Sequence, residues 1–286
     1  MGSITIDANG LFGVKGLVVV VTGGATGIGL MIAQALEANG ALVYIIGRRQ
    51  EALDNGVKSA RYGNIYSIQG DVTDKSDLER AVAELELKHG YVDVVIANSG
   101  IVGPTLDGLA ENATISQFRN HLWNWSSGSF NETFAVNTTG VFMTIVAFLE
   151  LLDKGNKRSD RKQRSQVIAT SSIGAYTRLP VLGYAYEASK AAVVHIMKQL
   201  TSSLVPYSIR ANVLLPGWYP SEMTQDVLAR QKDAGWQKDF VPEERPGDEE
   251  DIAGAILFLV SKAGAYINGN MLVTDGGRLG IIPSSF

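Results

Sequence analysis

The chain has 286 residues, 45% of them hydrophobic, with 25 basic and 29 acidic side chains and a formal net charge of −4. That supports a large buried core and leaves no basic field to attract nucleic acid or anionic lipid. Cysteine is absent, which excludes disulfides, thiolate metal sites and a cysteine nucleophile.

Residues 1–10 are polar, without the apolar run of a secretory signal. The first strand is expected at 17–22, a valine run that suits a strand buried on both faces. Thr22-Gly23-Gly24-Ala25-Thr26-Gly27-Ile28-Gly29 follows it and opens a helix at 27–39 that Gly40 ends. Glycine lets a backbone turn tightly and approach a pyrophosphate, and a helix N-terminus favours the anion. Thr22, Gly23, Thr26, Gly27, Ile28 and Gly29 are therefore candidate cofactor contacts. The second strand, 42–46, runs into Gly47-Arg48-Arg49 rather than into an acidic residue. Two guanidinium groups suit a 2′-phosphate, with no carboxylate to repel it, so Arg48 and Arg49 point to NADP(H). A helix at 50–60 and a strand at 65–69 lead to Asp71-Val72, placed to meet an adenine.

A helix at 75–89, capped by Asp74 and stopped by Gly90, precedes the fourth strand at 92–97. Residues 101–130 then break the rhythm. His121, Trp123 and Trp125 in this long connection suggest a packed substrate flap. A helix is expected at 131–152, and a basic run, 153–166, reads as a solvated surface loop. After the fifth strand, 166–171, come Ser172 and a helix at 184–204 that carries Tyr186 and Lys190. Four residues apart, these two share a helix face, where an ammonium beside a phenol should pull the phenol pKa down. Tyr176, Leu182, Trp218, Tyr219 and Met223 are candidate walls of a substrate cleft, with 218–246 as a lid over it. A strand at 209–214, a helix at 248–261 capped by Asp248, and a strand at 270–274 complete the series. No apolar run reaches the length of a bilayer span, and no metal-ligand spacing occurs. The alternation implies one α/β domain over 1–286, a doubly wound parallel sheet of about seven strands flanked by helices.

Taken together, these pieces resemble the short-chain dehydrogenase/reductase family over residues 12–277. The carriers are Thr22-Gly23-x-x-x-Gly27-x-Gly29, Ala97-Asn98-Ser99-Gly100, Asn137, Ser172, Tyr186-x-x-x-Lys190, Pro216-Gly217 with Thr224, and Asp275-Gly276-Gly277. The resemblance implies a Rossmann fold and a catalytic set of Asn137, Ser172, Tyr186 and Lys190. Tyr186 would exchange a proton with the substrate oxygen, and Ser172 would hydrogen-bond that oxygen. Lys190 would lower the Tyr pKa and hold the cofactor ribose, and Asn137 would support a water on Lys190. Asn98, Gly100, Pro216, Gly217, Trp218 and Thr224 would border the cofactor, the last two at its carboxamide. Ala97 and Ser99 depart from the usual Asn-Asn-Ala-Gly. The Ser172-to-Tyr186 interval is one residue longer than is common, which leaves Ser171 as the alternative to Ser172.

The segment 216–224 resembles reductases of secondary metabolism. The expected function is an NADPH-dependent reductase, or the reverse dehydrogenase, acting on a bulky apolar or aromatic ketone. The expected protein is cytoplasmic, a homodimer or homotetramer, with no nucleic-acid, membrane or metal partner. A non-redox isomerase or cyclase of the same fold, and a silent cofactor-sensing protein, are the rivals.

Overall fold

The computed structural model describes residues 7–158 and 163–285; residues 1–6 and Arg161 and Lys162 of the basic run lie outside them. Seven strands, β1 (Val18–Thr22), β2 (Leu42–Gly47), β3 (Ile65–Gln69), β4 (Val94–Ala97), β5 (Gln166–Thr170), β6 (Arg210–Pro216) and β7 (Met271–Thr274), form one parallel sheet in the order β3-β2-β1-β4-β5-β6-β7. Every residue of β1, β5 and β6 is buried, which is why their apolar residues run consecutively rather than alternating.

Eleven helices cover the described chain: α1 (Ala8–Phe12), α2 (Gly27–Ala38), α3 (Gln50–Lys58), α4 (Lys75–His89), α5 (Ile115–Trp123), α6 (Ser127–Phe134), α7 (Val141–Ala147), α8 (Leu149–Asn156), α9 (Tyr184–Ser203), α10 (Gln225–Ala234) and α11 (Glu249–Val260). The strand period of two sorts β1 between two apolar layers. Val18 and Val20 face Leu85, Ile145, Phe148 and Met197, from α4, α7 and α9 and the residue after α7. Val19 and Val21 face Ile32, Leu36, Ile252 and Ile256, from α2 and α11. Each fully buried side chain of this size contributes about 1.5–3 kcal/mol. The expected caps form: Asp74 accepts from Ser76 N at 2.8 Å, Gly90 takes φ +75°, and Asp248 and Asp251 make a capping box.

Three segments differ from expectation. The helix expected at 131–152 begins at Ser127 behind the cap residue Ser126, widens into a π-turn at Ala135–Gly140, and bends by 45° at Phe148. Its apolar pattern continues across the bend, so sequence periodicity does not register the break. The expected flap is helical: Thr114 and Gln117 cap α5, and Trp125 lies 6.1 Å from Tyr184 at the start of α9. The lid carries α10, which has no buried residue and therefore no apolar stripe to announce it. Among the described residues, no single helix is long and apolar enough to cross a membrane.

The chain leaves β1 in one direction to β2 and β3, then returns past β1 to β4. At such a switch point the strand ends cannot be bridged, and a crevice opens at their C-terminal edge.

Candidate active site

The crevice holds a groove of about 1690 Å³, open to solvent, lined by Gly23, Thr26, Gly27, Ile28, Gly29, Arg48, Arg49, Asp71, Val72, Asn98, Gly100, Tyr186 and Lys190 among others. Its floor is the turn between β1 and α2. Gly23 and Gly27 have φ of +63° and +52°, where a side chain is strained. A Cβ on Gly29 would lie 2.2 Å from the Gly23 carbonyl oxygen. Thr26, at the N-cap of α2, makes no side-chain cap, so the first N–H groups of the helix remain available. A cradle of bare backbone beside an uncapped helix N-terminus fits a pyrophosphate. Thr22 lies beneath the groove rather than in it. Its hydroxyl accepts from Asn98 N (3.0 Å) and Ser99 N (3.2 Å), and its carbonyl accepts from Asn98 Nδ2 (3.1 Å). Asn98 thus ties β4 to β1, and the changes at Ala97 and Ser99 leave that tie intact.

The adenosine end needs a correction. Two carboxylates stand beside the arginines. Arg49 Nη2 donates to both oxygens of Glu222 (2.9 and 3.0 Å), and Arg48 Nη1 is 3.7 Å from Asp71 Oδ2. Glu222 comes from the loop after β6, 173 residues away, so no local pattern reveals it. Both arginines are more than half exposed. Such pairs contribute about 0–1 kcal/mol, and a phosphate can compete for them.

α9 carries the proton chemistry. Tyr186 is 7% exposed, with the Ser172 hydroxyl beside it favouring the phenolate. Ser172 starts a 3₁₀ turn and accepts from Gly174 N at 3.0 Å. Ser171 is spoken for, since its hydroxyl donates to the Lys190 carbonyl at 2.8 Å. The extra residue between Ser and Tyr is therefore taken up in the loop, and Ser172 is the hydroxyl beside the phenol. Lys190 Nζ donates to Thr170 O (3.0 Å) and stands 5.7 Å from the Tyr186 ring centre. The expected fall in the phenol pKa does not occur in this state. Burial pushes Tyr186 up to about 12, opposed by the Ser172 hydrogen bond, and burial pulls Lys190 down to about 8. Desolvation disfavours both charged forms and outweighs their mutual attraction.

Asn137 is buried in the π-turn. Its amide donates to Ile101 O (2.9 Å) and Ser189 Oγ (3.0 Å) and accepts from Ile101 N (2.8 Å). The next residue, Thr138, donates to Ser189 O at 3.1 Å. Asn137 Oδ1 and Lys190 Nζ flank Gly100, each 3.3 Å from where a Cβ would stand there.

A second cleft of about 680 Å³, part of it open to solvent, shares Ile28, Ser171, Tyr186, Ser221 and Met223 with the groove. Tyr186 therefore stands where the two meet, and Ser172 lies beside it on the wall of the second cleft. Leu182, Met223 and Trp218 line this cleft, as do Pro216, Gly217 and Thr224. Tyr219 also borders it, but its ring belongs to the core and packs against Gly247. The Thr224 hydroxyl donates to Tyr219 O (2.6 Å), so its proton is committed within the lid. Tyr176 is misplaced in the sequence reading: it lies outside the cleft, packed against the core of the α9 side. Of the 101–130 segment, only Ile101 and Val102 line the groove and none lines the second cleft; Trp125 packs against Tyr184 at the start of α9.

Sequence reasoning passed over three cleft residues. Glu187, inside the Tyr-x-x-x-Lys motif, is 9% exposed, accepts from Leu182 N, and is pushed up to about 7 by burial. Arg278 and Ile282 arrive with the chain's last turn. There Pro283 O accepts from Arg178 N (2.9 Å) and Ser285 N donates to Tyr176 O (2.8 Å), binding this end to the cleft wall. Glu187 was legible as the one acid inside Tyr186-Glu-Ala-Ser-Lys190, and Arg278 as the cation after Asp275-Gly276-Gly277.

The fold is an α/β doubly wound sheet with a groove at its switch point that fits a dinucleotide, and Tyr186 stands between that groove and the second cleft. A family model described as enoyl-(acyl carrier protein) reductase matches residues 23–278. The chain is 50% identical over 286 residues to short-chain dehydrogenase/reductase PhomF of Diaporthe leptostromiformis, covering 99% of this chain and 98% of that protein. It is 40% identical to short-chain dehydrogenase/reductase VdtF of Byssochlamys spectabilis, with all of both chains covered. The solved RhlG/NADP active-site complex of Pseudomonas aeruginosa superposes with a TM-score of 0.80 at 30% identity, covering 94% of this chain and 98% of that one. This chain belongs to the short-chain dehydrogenase/reductase family.

Proposed function

We propose that the protein is an NADPH-dependent reductase that interconverts a ketone and a secondary alcohol on a bulky, largely apolar small molecule. The observation that carries this reading is the position of Tyr186, shared by a pyrophosphate-fitting groove and a second, mostly apolar cleft, with the Ser172 hydroxyl beside it in that cleft. The cofactor, when bound, supplies the hydride. With its pKa near 12, Tyr186 keeps its proton at neutral pH and can deliver it to a substrate oxygen. Ser172 is positioned to hydrogen-bond the same oxygen as charge develops on it. Lys190, tied to Thr170 O, would face the ribose, and Gly23, Thr26, Gly27, Ile28 and Gly29 would hold the pyrophosphate. Arg48 and Arg49 support a 2′-phosphate, in keeping with the NADP in the RhlG complex. A similar protein, 30% identical, is named as a 3-oxoacyl-[acyl-carrier-protein] reductase of rhamnolipid biosynthesis, which supports a reductive role in secondary metabolism.

We also infer a cytoplasmic homodimer or homotetramer. A hollow between Phe142 of α7 and Ile196 and Leu200 of α9 supports pairing of these helices, and a monomer in sedimentation would refute it. The test of the reaction is Tyr186→Phe. It should lower turnover of aryl ketones by about 10²–10⁴-fold, followed by NADPH absorbance, while NADPH binding is unchanged. Turnover at the wild-type rate would refute the mechanism.

A further inference from the structure

The most costly group in the second cleft is Arg278. It is 6% exposed and lines the cleft. One guanidinium N–H donates to the Phe240 carbonyl oxygen, and the guanidinium stands 4.2 Å over the Phe240 ring. Among the described residues, no carboxylate lies within ion-pair distance of it. The adjacent Asp275 favours the guanidinium charge from beyond ion-pair distance, and its oxygens accept from Gly277 N (2.9 Å) and Leu279 N (2.7 Å). Glu187, the other ionisable group of the cleft beside Tyr186, accepts from Leu182 N instead. A second donor is also stranded: Nε1 of Trp218, on the same cleft, is buried without a partner.

A guanidinium has five donors, and a single bond to a carbonyl uses one. Tethering Phe240 would need only a neutral donor. A buried cation with no ion-pair partner is costly, and a ligand carboxylate would complete it. The planar fork of arginine matches a carboxylate in two parallel hydrogen bonds.

We propose that Arg278 is a substrate-recognition residue, and that the natural substrate is an apolar ketone bearing a carboxylate that pairs with this guanidinium. The inference rests on the second cleft being the substrate site.

The test supplies a series of aryl ketones, each as the free carboxylic acid and as its methyl ester, to the NADPH-loaded protein at neutral pH. Dissociation constants come from calorimetry, and kcat/KM from NADPH absorbance. The acids should be favoured by about tenfold or more over their esters. Arg278→Met should erase the preference by weakening the acids alone, and Arg278→Lys should retain part of it. Acids no better than esters across the series would overturn the proposal. So would an Arg278→Met variant that weakens both equally, the signature of a lid tether. If Arg278→Met fails to fold, judged by near-ultraviolet circular dichroism, the wild-type comparison and Arg278→Lys decide. An acid preference in binding with no ketone reduced would keep the carboxylate site and refute the reductase reading.

Discussion

Lys190 offers a quantitative check on the electrostatics of the site. Lys190 is 3% exposed, its ammonium donates to Thr170 O, and burial lowers its pKa from the ordinary 10.5 to about 8. A depressed lysine pKa means that the unfolded chain holds the extra proton between those two values, so stability rises with pH across that window. Near pH 7 the full penalty applies, about 3 kcal/mol; near pH 9.5 about 1 kcal/mol of it remains. The cofactor-free protein should therefore gain about 2 kcal/mol from this one group over that interval. The interval stops short of 10.0, the ordinary tyrosine value. Above it Tyr186, pushed up to about 12, contributes the opposite slope, because the unfolded phenol loses its proton first. Urea denaturation of wild type and Lys190→Met at about pH 7, 8.5 and 9.5 makes the measurement. All other titrations are common to both proteins, so the difference in slope isolates Lys190. Equal slopes would refute a desolvated ammonium here, and with it the account of why the tyrosine pKa is not lowered.

Other outcomes follow from the same geometry. Ser172→Ala should cut kcat by about 10²–10³-fold. Ser171→Ala should leave kcat far less changed and cost about 1 kcal/mol of stability through its lost bond to the Lys190 carbonyl; the reverse pattern would transfer the role to Ser171. Glu187, raised to about 7, contributes stability that is complete below its ordinary value of 4.5 and is lost as pH rises through 7. Thermal melts from about pH 4.5 to 8 should show that loss in wild type and not in Glu187→Gln, and parallel curves would refute it. Glu222→Gln should free Arg49 and tighten NADPH binding by up to about fivefold without changing NADH binding, measured by fluorescence titration. Equal effects on both cofactors would remove Arg49 from the phosphate.

The strands and the glycine turn were legible because their causes are local. A strand covered on both faces is apolar along most of its length, and residues 18–21 are all valine. The Tyr–Lys spacing likewise fixes a shared helix face. What escaped notice depends on distance or on weak patterning. The Arg49–Glu222 contact joins residues 173 apart, and α10 buries nothing. The direction of Tyr176 is set by the 3₁₀ turn at Ile173–Ala175, one position of which separates a cleft wall from the core. The tyrosine pKa was misjudged because a sequence shows that two charges are neighbours but not how dry their surroundings are.

The π-turn at Ala135–Gly140 bears on how this chain can vary. In an ordinary helix, neighbouring residues point about 100° apart, yet Asn137 and Thr138 both bond Ser189. The turn accommodates one residue more than a regular helix would. Deleting a single residue there would act as a rotation: the chain would regain a regular helix while Asn137 swung away from Ile101 and Ser189. Point substitutions at Thr139, which makes none of these bonds, should be tolerated far better than a deletion of any one member of the turn.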